Sequence, residues 1–366
     1  MATVFFTGFP GFLGSELVPR VLATREGDRA VCLVQSKFAH LAHSRVTELV
    51  ERDSTLAGRI ELVEGDITEP GLGLDTSSRL AENLAGDVRE IYHLAAAYDL
   101  MVQREVGVRI NVDGTRNTLD FAAACPGLER FHYVSTCYVS GRHAGIFRET
   151  DLDVGQKFNN YYEETKFLAE VEVQARMKSG LPATIYRPSV VVGDSETGAT
   201  QKYDGPYFVI RWLLRQPRWA ILPVVGDPTA VCVNLVPRDF VFDAISHLSS
   251  LDESLGEVYQ LADPNPLTVD QLIDLVGETT GRRVLRVPTL RSVAKASLDY
   301  VPGLQALMQI PSAAIDYFAH PTYYATDNAD RDLDTAGITV PRLEAYMPRL
   351  VEFVREDPDI GSKAMI

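Results

Sequence analysis

Apolar residues in the first two hundred positions fall into short continuous runs, separated by longer stretches in which they recur every three or four residues. The run Thr3-Val4-Phe5-Phe6 leads into glycines and then into a helical spacing over 16–24, which together read as a β-turn-α unit. Further buried-strand runs occupy 30–34, 60–64, 90–94 and 131–135, with helical spacings between them, including one over 109–124. Strands that are apolar throughout and alternate with helices predict a parallel sheet covered on both faces. A helix over 160–179 and a strand over 182–192 (PATIYRPSVVV) continue the series. After Gly193 the alternation degrades, and Pro and aromatics accumulate over 202–219 and 285–324, with helical spacings near 209–215, 238–251 and 269–280. The expected fold class is α/β, a doubly wound parallel sheet over residues 1–200 that later segments at about 226–260 rejoin. Residues 201–366 are expected to form mainly a smaller, mostly helical substrate lobe over the carboxyl edge of the sheet, where open α/β sheets bind ligands. The closing GSKAMI reads as a frayed tail.

Composition narrows the function classes. Fifty acidic against 35 basic residues give a net charge of −15, which disfavours a surface that gathers nucleic acid. The four cysteines form no CxxC pair and no metal-ligand spacing, so no metal is expected and a reduced cytoplasmic setting fits. The N-terminus lacks the basic start of a signal peptide, and no apolar run reaches the roughly 20 residues that span a bilayer. A soluble cytoplasmic protein without stable membrane insertion is the expectation.

Thr7-Gly8-Phe9-Pro10-Gly11-Phe12-Leu13-Gly14 follows the first strand directly and opens the first helix. In that setting Gly8 permits a tight turn, Gly11 lets the backbone approach a pyrophosphate, and Gly14 lets helix and strand pack closely. The helix N-terminus then meets negative charge with its N–H groups. This is the glycine loop of a Rossmann dinucleotide site. Which dinucleotide it holds depends on the end of the second strand, where an acid would bind ribose hydroxyls and repel a 2′-phosphate. Gln35, Ser36 and Lys37 stand there instead, so NADP is favoured over NAD. Asp66 and Ile67, just after the third strand, are placed to meet the adenine, although Asp66 serves equally well to cap the next turn.

Tyr162 and Lys166 are four residues apart on the helix over 160–179 and share a face. A free tyrosine titrates near 10, and an adjacent ammonium stabilises its phenolate and brings it toward working pH. The pair follows the fifth strand, which ends in Val134-Ser135-Thr136-Cys137-Tyr138-Val139-Ser140-Gly141. Tyr161 faces elsewhere and reads as packing. Cys137 has no evident base and reads as a small packing residue, and His93 reads as structural.

These residues carry a resemblance to the extended short-chain dehydrogenase/reductase superfamily, over about residues 3–250. In that superfamily the tyrosine moves the substrate proton, the lysine holds the nicotinamide ribose, and a strand-end hydroxyl orients the carbonyl. The resemblance implies these roles for Tyr162, Lys166 and Thr136, with Ser135 the rival hydroxyl, and a site-shaping role for Asn111. The nucleotide contacts it implies extend to Ala95, Ala96 and Ser135, and to Pro188, Ser189 and Val190 along the nicotinamide.

The string 135–141 (STCYVSG) is similar to one in fatty acyl-CoA reductases, and 187–198 (RPSVVVGDSETG) resembles a segment they share with thioester reductase domains. The branch implies an NADP-dependent oxidoreductase that reduces an apolar aldehyde, ketone or acyl thioester, with the 194–198 loop bordering the substrate entrance. Two departures bear on this reading. A chain of 366 residues leaves no room for a carrier domain, and Gln35 or Ser36 stands where those families tend to carry an arginine. A self-contained reductase of a free small molecule is therefore expected, with a homodimer as a candidate assembly. The competing readings are an NAD-dependent epimerase or dehydratase using the same residues, and a non-catalytic NADP-sensing regulator. Arg211, Arg215 and Arg218 read either as a receiver for a pantetheine or CoA phosphate or as a solvated helix end. Tyr203, Tyr207, Phe208 and Trp212 read as an apolar substrate lining mixed with ordinary core.

Overall fold

The structure, a computed structural model, describes residues 2–25, 27–74, 80–301, 308 and 311–361, so the expected frayed tail lies outside the described residues beyond Gly361. The first half runs β1 (Thr3–Thr7), α1 (Phe12–Ala23), β2 (Arg29–Val34), α2 (Ala39–Arg52), β3 (Ile60–Glu64), α3 (Leu80–Asp87), β4 (Val88–His93), α4 (Arg104–Gly107), α5 (Gly114–Ala123), β5 (Arg130–Val134), β6 (Gly145–Phe147), α6 (Tyr161–Lys178), β7 (Ala183–Pro188) and β8 (Val190–Val192). The second half runs α7 (Pro206–Leu214), β9 (Trp219–Val225), β10 (Leu235–Pro237), α8 (Arg238–Leu248), β11 (Val258–Leu261), α9 (Val269–Thr280), β12 (Arg283–Thr289), α10 (Arg291–Tyr300), β13 (Thr322–Tyr324), α11 (Asp327–Asp334) and α12 (Leu343–Glu356).

Seven strands pair in parallel in the order β11-β7-β5-β4-β1-β2-β3, the doubly wound arrangement the alternation predicts. Successive residues of one strand serve opposite faces of the sheet. Phe5, Ile91 and Ile185 join Leu119 and Val173 in one core, whereas Phe6, Tyr92 and Tyr186 join Leu17 and Ile245 in the other. Both faces are therefore apolar, which is why these strands lack a polar side in the sequence. Between α4 and α5 the helix passes through a π-turn over Val108–Asp113, which makes 104–123 longer and less regular than the 109–124 spacing implies.

The run over 182–192 is not one strand. Ser189 N still bonds Leu261 O in the main sheet, but Val190 N turns to Asn234 O, and β8 pairs with β10 instead. The mostly helical later half also holds strands, of which β9 and β12 form a parallel ribbon over seven residue pairs. The inner residues of that ribbon, Ala220, Leu222 and Val224, pack with α7, α9 and α12 in a third core that includes Ile210, Leu272 and Met347. Helix α9 starts on a capping box between Thr268 and Gln271. No helix among the described residues is long and apolar enough to cross a membrane.

Candidate active site

The carboxyl ends of β1, β4, β5 and β7 open on one cavity of about 690 Å³. The glycine loop forms one wall and is shaped by backbone approach. Gly8 has φ +86°, and a side chain there would meet Ala95 N at 2.7 Å. A side chain on Gly14 would meet Gly8 O at 2.8 Å, so Gly14 seals α1 against the loop and does not itself line the cavity. Gly11 N donates to Gly8 O at 2.9 Å, and Phe9, Pro10, Phe12 and Leu13 complete this wall. Such a cradle fits a dinucleotide, because only bare backbone leaves room for a pyrophosphate over the start of a helix. Ser189 Oγ, buried in the facing wall, has no hydrogen-bond partner among the described residues, and a bound nucleotide is the kind of group that satisfies such an atom.

At the end of β2, Gln35 and Lys37 line the cavity, whereas Ser36 does not. Gln35 Nε2 donates to Asp66 Oδ2 at 2.7 Å, and Asp66 Oδ1 accepts from Thr68 N at 2.8 Å. Asp66 therefore caps its turn and anchors Gln35 while it lines the cavity beside Ile67. Ala95 and Ala96 form the floor between these walls.

Tyr162 and Thr136 both line the cavity at the other end. Burial holds the Tyr162 phenol above its ordinary range, and the nearby Thr136 hydroxyl only partly offsets this. The neighbouring ammonium is expected to bring Tyr162 down, yet in the structure desolvation governs it. The ammonium itself is committed elsewhere: Lys166 Nζ donates to Tyr133 Oη at 3.0 Å and to Val134 O at 2.8 Å. Burial draws Lys166 down to about 7, opposed by the charge of Glu170 one turn on. Asn111 does not line the cavity. From the π-turn it accepts from Ala97 N at 2.7 Å and donates to Thr165 Oγ1 at 2.9 Å, tying the loop after β4 to α6. His93 lies between Thr7 and Thr115, buried and drawn down to about 3 by desolvation, and is structural as read.

Ser135 and Thr136 part company. Ser135 Oγ donates to Glu170, whose carboxylate forms a fully buried pair with Arg187, while Thr136 lies with Tyr162. Cys137 Sγ donates to Arg187 O and is held far above the ordinary thiol range by burial, which leaves it inert. Tyr161 is 48% exposed and so does not pack. Tyr203, Tyr207, Phe208 and Trp212 do not line the cavity, because they build the interior of the later half, where Arg211 lies over the Tyr203 ring at 5.5 Å. Nor does the 194–198 loop border it: Asp194 closes that loop on Thr197 and pairs with Arg238. The wall comes instead from Thr200, Gln201, Gly205 and Pro206, together with Pro188, Val190, Leu235, Leu272, Tyr317 and Phe318. Tyr98, Arg109, Lys202 and Asp204 also line it, and no local motif marks them in the sequence.

Residues 6–245 match the family profile described as Male sterility protein, an NAD-binding family. A linear gramicidin synthase of Brevibacillus parabrevis is 30% identical over 290 residues, 77% of this chain and 6% of that protein. Aldehyde reductase lnbA of Aspergillus flavus is 24% identical over 83% of this chain and 31% of its own length. The chain thus spans a small part of the first relative and about a third of the second. Among solved structures, the terminal R domain from the myxalamid PKS-NRPS biosynthetic pathway superposes with a TM-score of 0.82 at 26% identity, over 98% of this chain and 91% of that one.

Proposed function

The chain belongs to the Male sterility protein family, oxidoreductases of the extended short-chain dehydrogenase/reductase type, and from that premise we propose that it reduces the carbonyl of an apolar aldehyde, ketone or acyl thioester with NADPH. The observation that carries the reading is that Tyr162 and Thr136 line the same cavity as the glycine cradle. When bound, the reduced nicotinamide supplies the hydride that the carbonyl carbon accepts. Thr136 and Tyr162 donate to the carbonyl oxygen. Because burial keeps the Tyr162 phenol above its ordinary range, it stays protonated at neutral pH and yields its proton to the alkoxide that develops there. That state suits reduction. Lys166 spends two N–H groups on Tyr133 and Val134 and would have a third for the ribose, while the unpartnered Ser189 hydroxyl would offer a donor to the nucleotide. Residues beyond 200 act in this reading as the substrate lobe, with Leu235, Leu272 and Phe318 as its apolar wall. Incubation with NADPH and a panel of aldehydes, ketones and acyl-CoAs tests it. Loss of the reduced-nicotinamide absorbance supports reduction, and a tightly retained nucleotide with no net consumption favours the epimerase or dehydratase reading.

NADP is preferred because Lys37 is exposed at the cavity beside Gln35, and because Asp66, the nearby acid, is committed to Gln35 and the Thr68 N–H. Lys37→Ala is expected to weaken NADPH binding by about fivefold, the worth of one exposed charge pair, and to leave NADH binding unchanged by calorimetry. Equal losses for both nucleotides would remove the 2′-phosphate from this position.

Lys166 gives the site a pH signature. The unfolded lysine titrates near 10.5 and the buried one at about 7. Between those values the unfolded chain holds more protons, so this group adds stability to the nucleotide-free protein as pH rises above 7. An anionic nucleotide draws the ammonium back. Binding at pH 8 is therefore expected to take up close to one proton through Lys166, binding at pH 6 almost none, and Lys166→Met is expected to abolish the uptake. Calorimetry in buffers of different ionisation enthalpy measures this, and uptake that survives in Lys166→Met would assign it elsewhere.

A further inference from the structure

Next to Tyr162 the cavity wall carries three polar residues that the mechanism above does not use. The Tyr98 ring meets the Tyr162 ring edge-on, with centroids 5.2 Å apart. Lys202 Nζ lies 2.9 Å from Asp204 Oδ2 and 4.3 Å from the centre of the Tyr98 ring, so the carboxylate and the ring share this one cation. All three residues line the cavity, and the Lys202 and Asp204 side chains are 22% and 15% exposed.

An aromatic face beside a carboxylate is the chemistry that binds an ammonium group. Here that seat is built by Tyr98 from the loop after β4 and by Asp204 from the loop before α7. Its occupant is part of the chain, carried two residues away from Asp204. The same cavity carries the apolar Val233, Leu235, Leu272 and Phe318, so Tyr98 and Asp204, with Tyr98 against Tyr162, are where a substrate gains charge recognition beside the reacting carbonyl.

We propose that Lys202 is a specificity-determining residue: a tethered cation that fills an ammonium seat made by Tyr98 and Asp204 and so makes the site select neutral carbonyl compounds over ammonium-bearing ones. An incoming ammonium meets the lysine charge before it reaches either partner. Without that charge, the seat offers the same ring and a carboxylate with no cation on it. The proposal rests on the carbonyl-reductase reading for the place of the substrate, and its test separates the two.

Lys202→Met keeps the stem and removes the charge. The probes are betaine aldehyde and tert-butylacetaldehyde, which have the same shape and differ in a cationic nitrogen against a neutral carbon. The wild-type protein is expected to favour the neutral aldehyde in kcat/KM. In Lys202→Met the cation-to-neutral ratio is expected to rise at least about tenfold, and Asp204→Asn added to that variant is expected to cancel the rise. A ratio that stays within about twofold of wild type in Lys202→Met overturns the proposal, as does a gain that survives Asp204→Asn. Choline, the alcohol counterpart of betaine aldehyde, reports on the seat without turnover: calorimetry is expected to show it binding Lys202→Met at least about tenfold more tightly than wild type. Choline tightening with no aldehyde reduced would refute the reductase reading and keep the seat. Aldehyde reduction without choline tightening would refute the seat and keep the reductase.

Discussion

Tyr162→Phe lowers kcat by about a hundred- to ten-thousandfold, the range for loss of a positioned general acid, while the affinity for reduced nucleotide changes by less than about threefold. The substitution removes one oxygen and leaves the ring that packs against Tyr98 and near Ala97 and Val102. Thr136 keeps its contacts with Tyr138 N and Pro188 O, and Lys166 keeps Tyr133 and Val134, so the frame of the site survives. Steady-state rates and nucleotide titration on the same preparation separate the two quantities. A kcat within about tenfold of wild type would mean that the proton comes from elsewhere.

The largest expected loss of stability is at a residue that never touches substrate. Arg187→Met costs about 3–5 kcal/mol, because it strands a buried carboxylate. Arg187 and Glu170 are both fully buried, joined through Nη2 at 2.6 Å and Nε at 3.0 Å, and Arg187 also donates to Asp151 O at 2.8 Å. That guanidinium ties β7 to α6 and to the strap over residues 148–151, one helical turn beyond Lys166. Adding Glu170→Gln removes the stranded charge and is expected to restore part of the loss. Urea unfolding of both variants measures it. A loss below about 1 kcal/mol in Arg187→Met would show that solvent reaches Glu170.

What could be read from the sequence follows from how local each requirement is. The glycine loop and the Tyr162–Lys166 pair were legible because turn, phosphate approach and helical face each fix a short spacing. The sheet was legible because β1, β2 and β5 are buried on both sides and so lack polar alternation. The break at Ser189 was not, since the apolar run continues while the backbone changes partner from Leu261 to Asn234, both distant in sequence. Ribbon β9–β12 was missed for a similar reason: Pro223 and Pro288 interrupt both strands, and one face of each remains in solvent. Aromatic density over 203–212 did report burial, but composition does not say which cavity an aromatic faces. Tyr98, Lys202 and Asp204 come together only through loops from different parts of the chain. Spacing placed Tyr162 beside Lys166, yet burial, a property of the whole fold, sets their titration in opposite directions from the simple ammonium-phenol picture.

The measurement closest to the central claim is the fate of the hydride. A single turnover with NADPH deuterated at the transferring face of the nicotinamide, and any carbonyl compound the protein accepts, is analysed by mass spectrometry of product and nucleotide. The account predicts one deuterium on the former carbonyl carbon for each nucleotide oxidised, and the loss of that product in Tyr162→Phe. Oxidised nucleotide without deuterium in the product, or substrate converted while the nucleotide stays reduced, would contradict it.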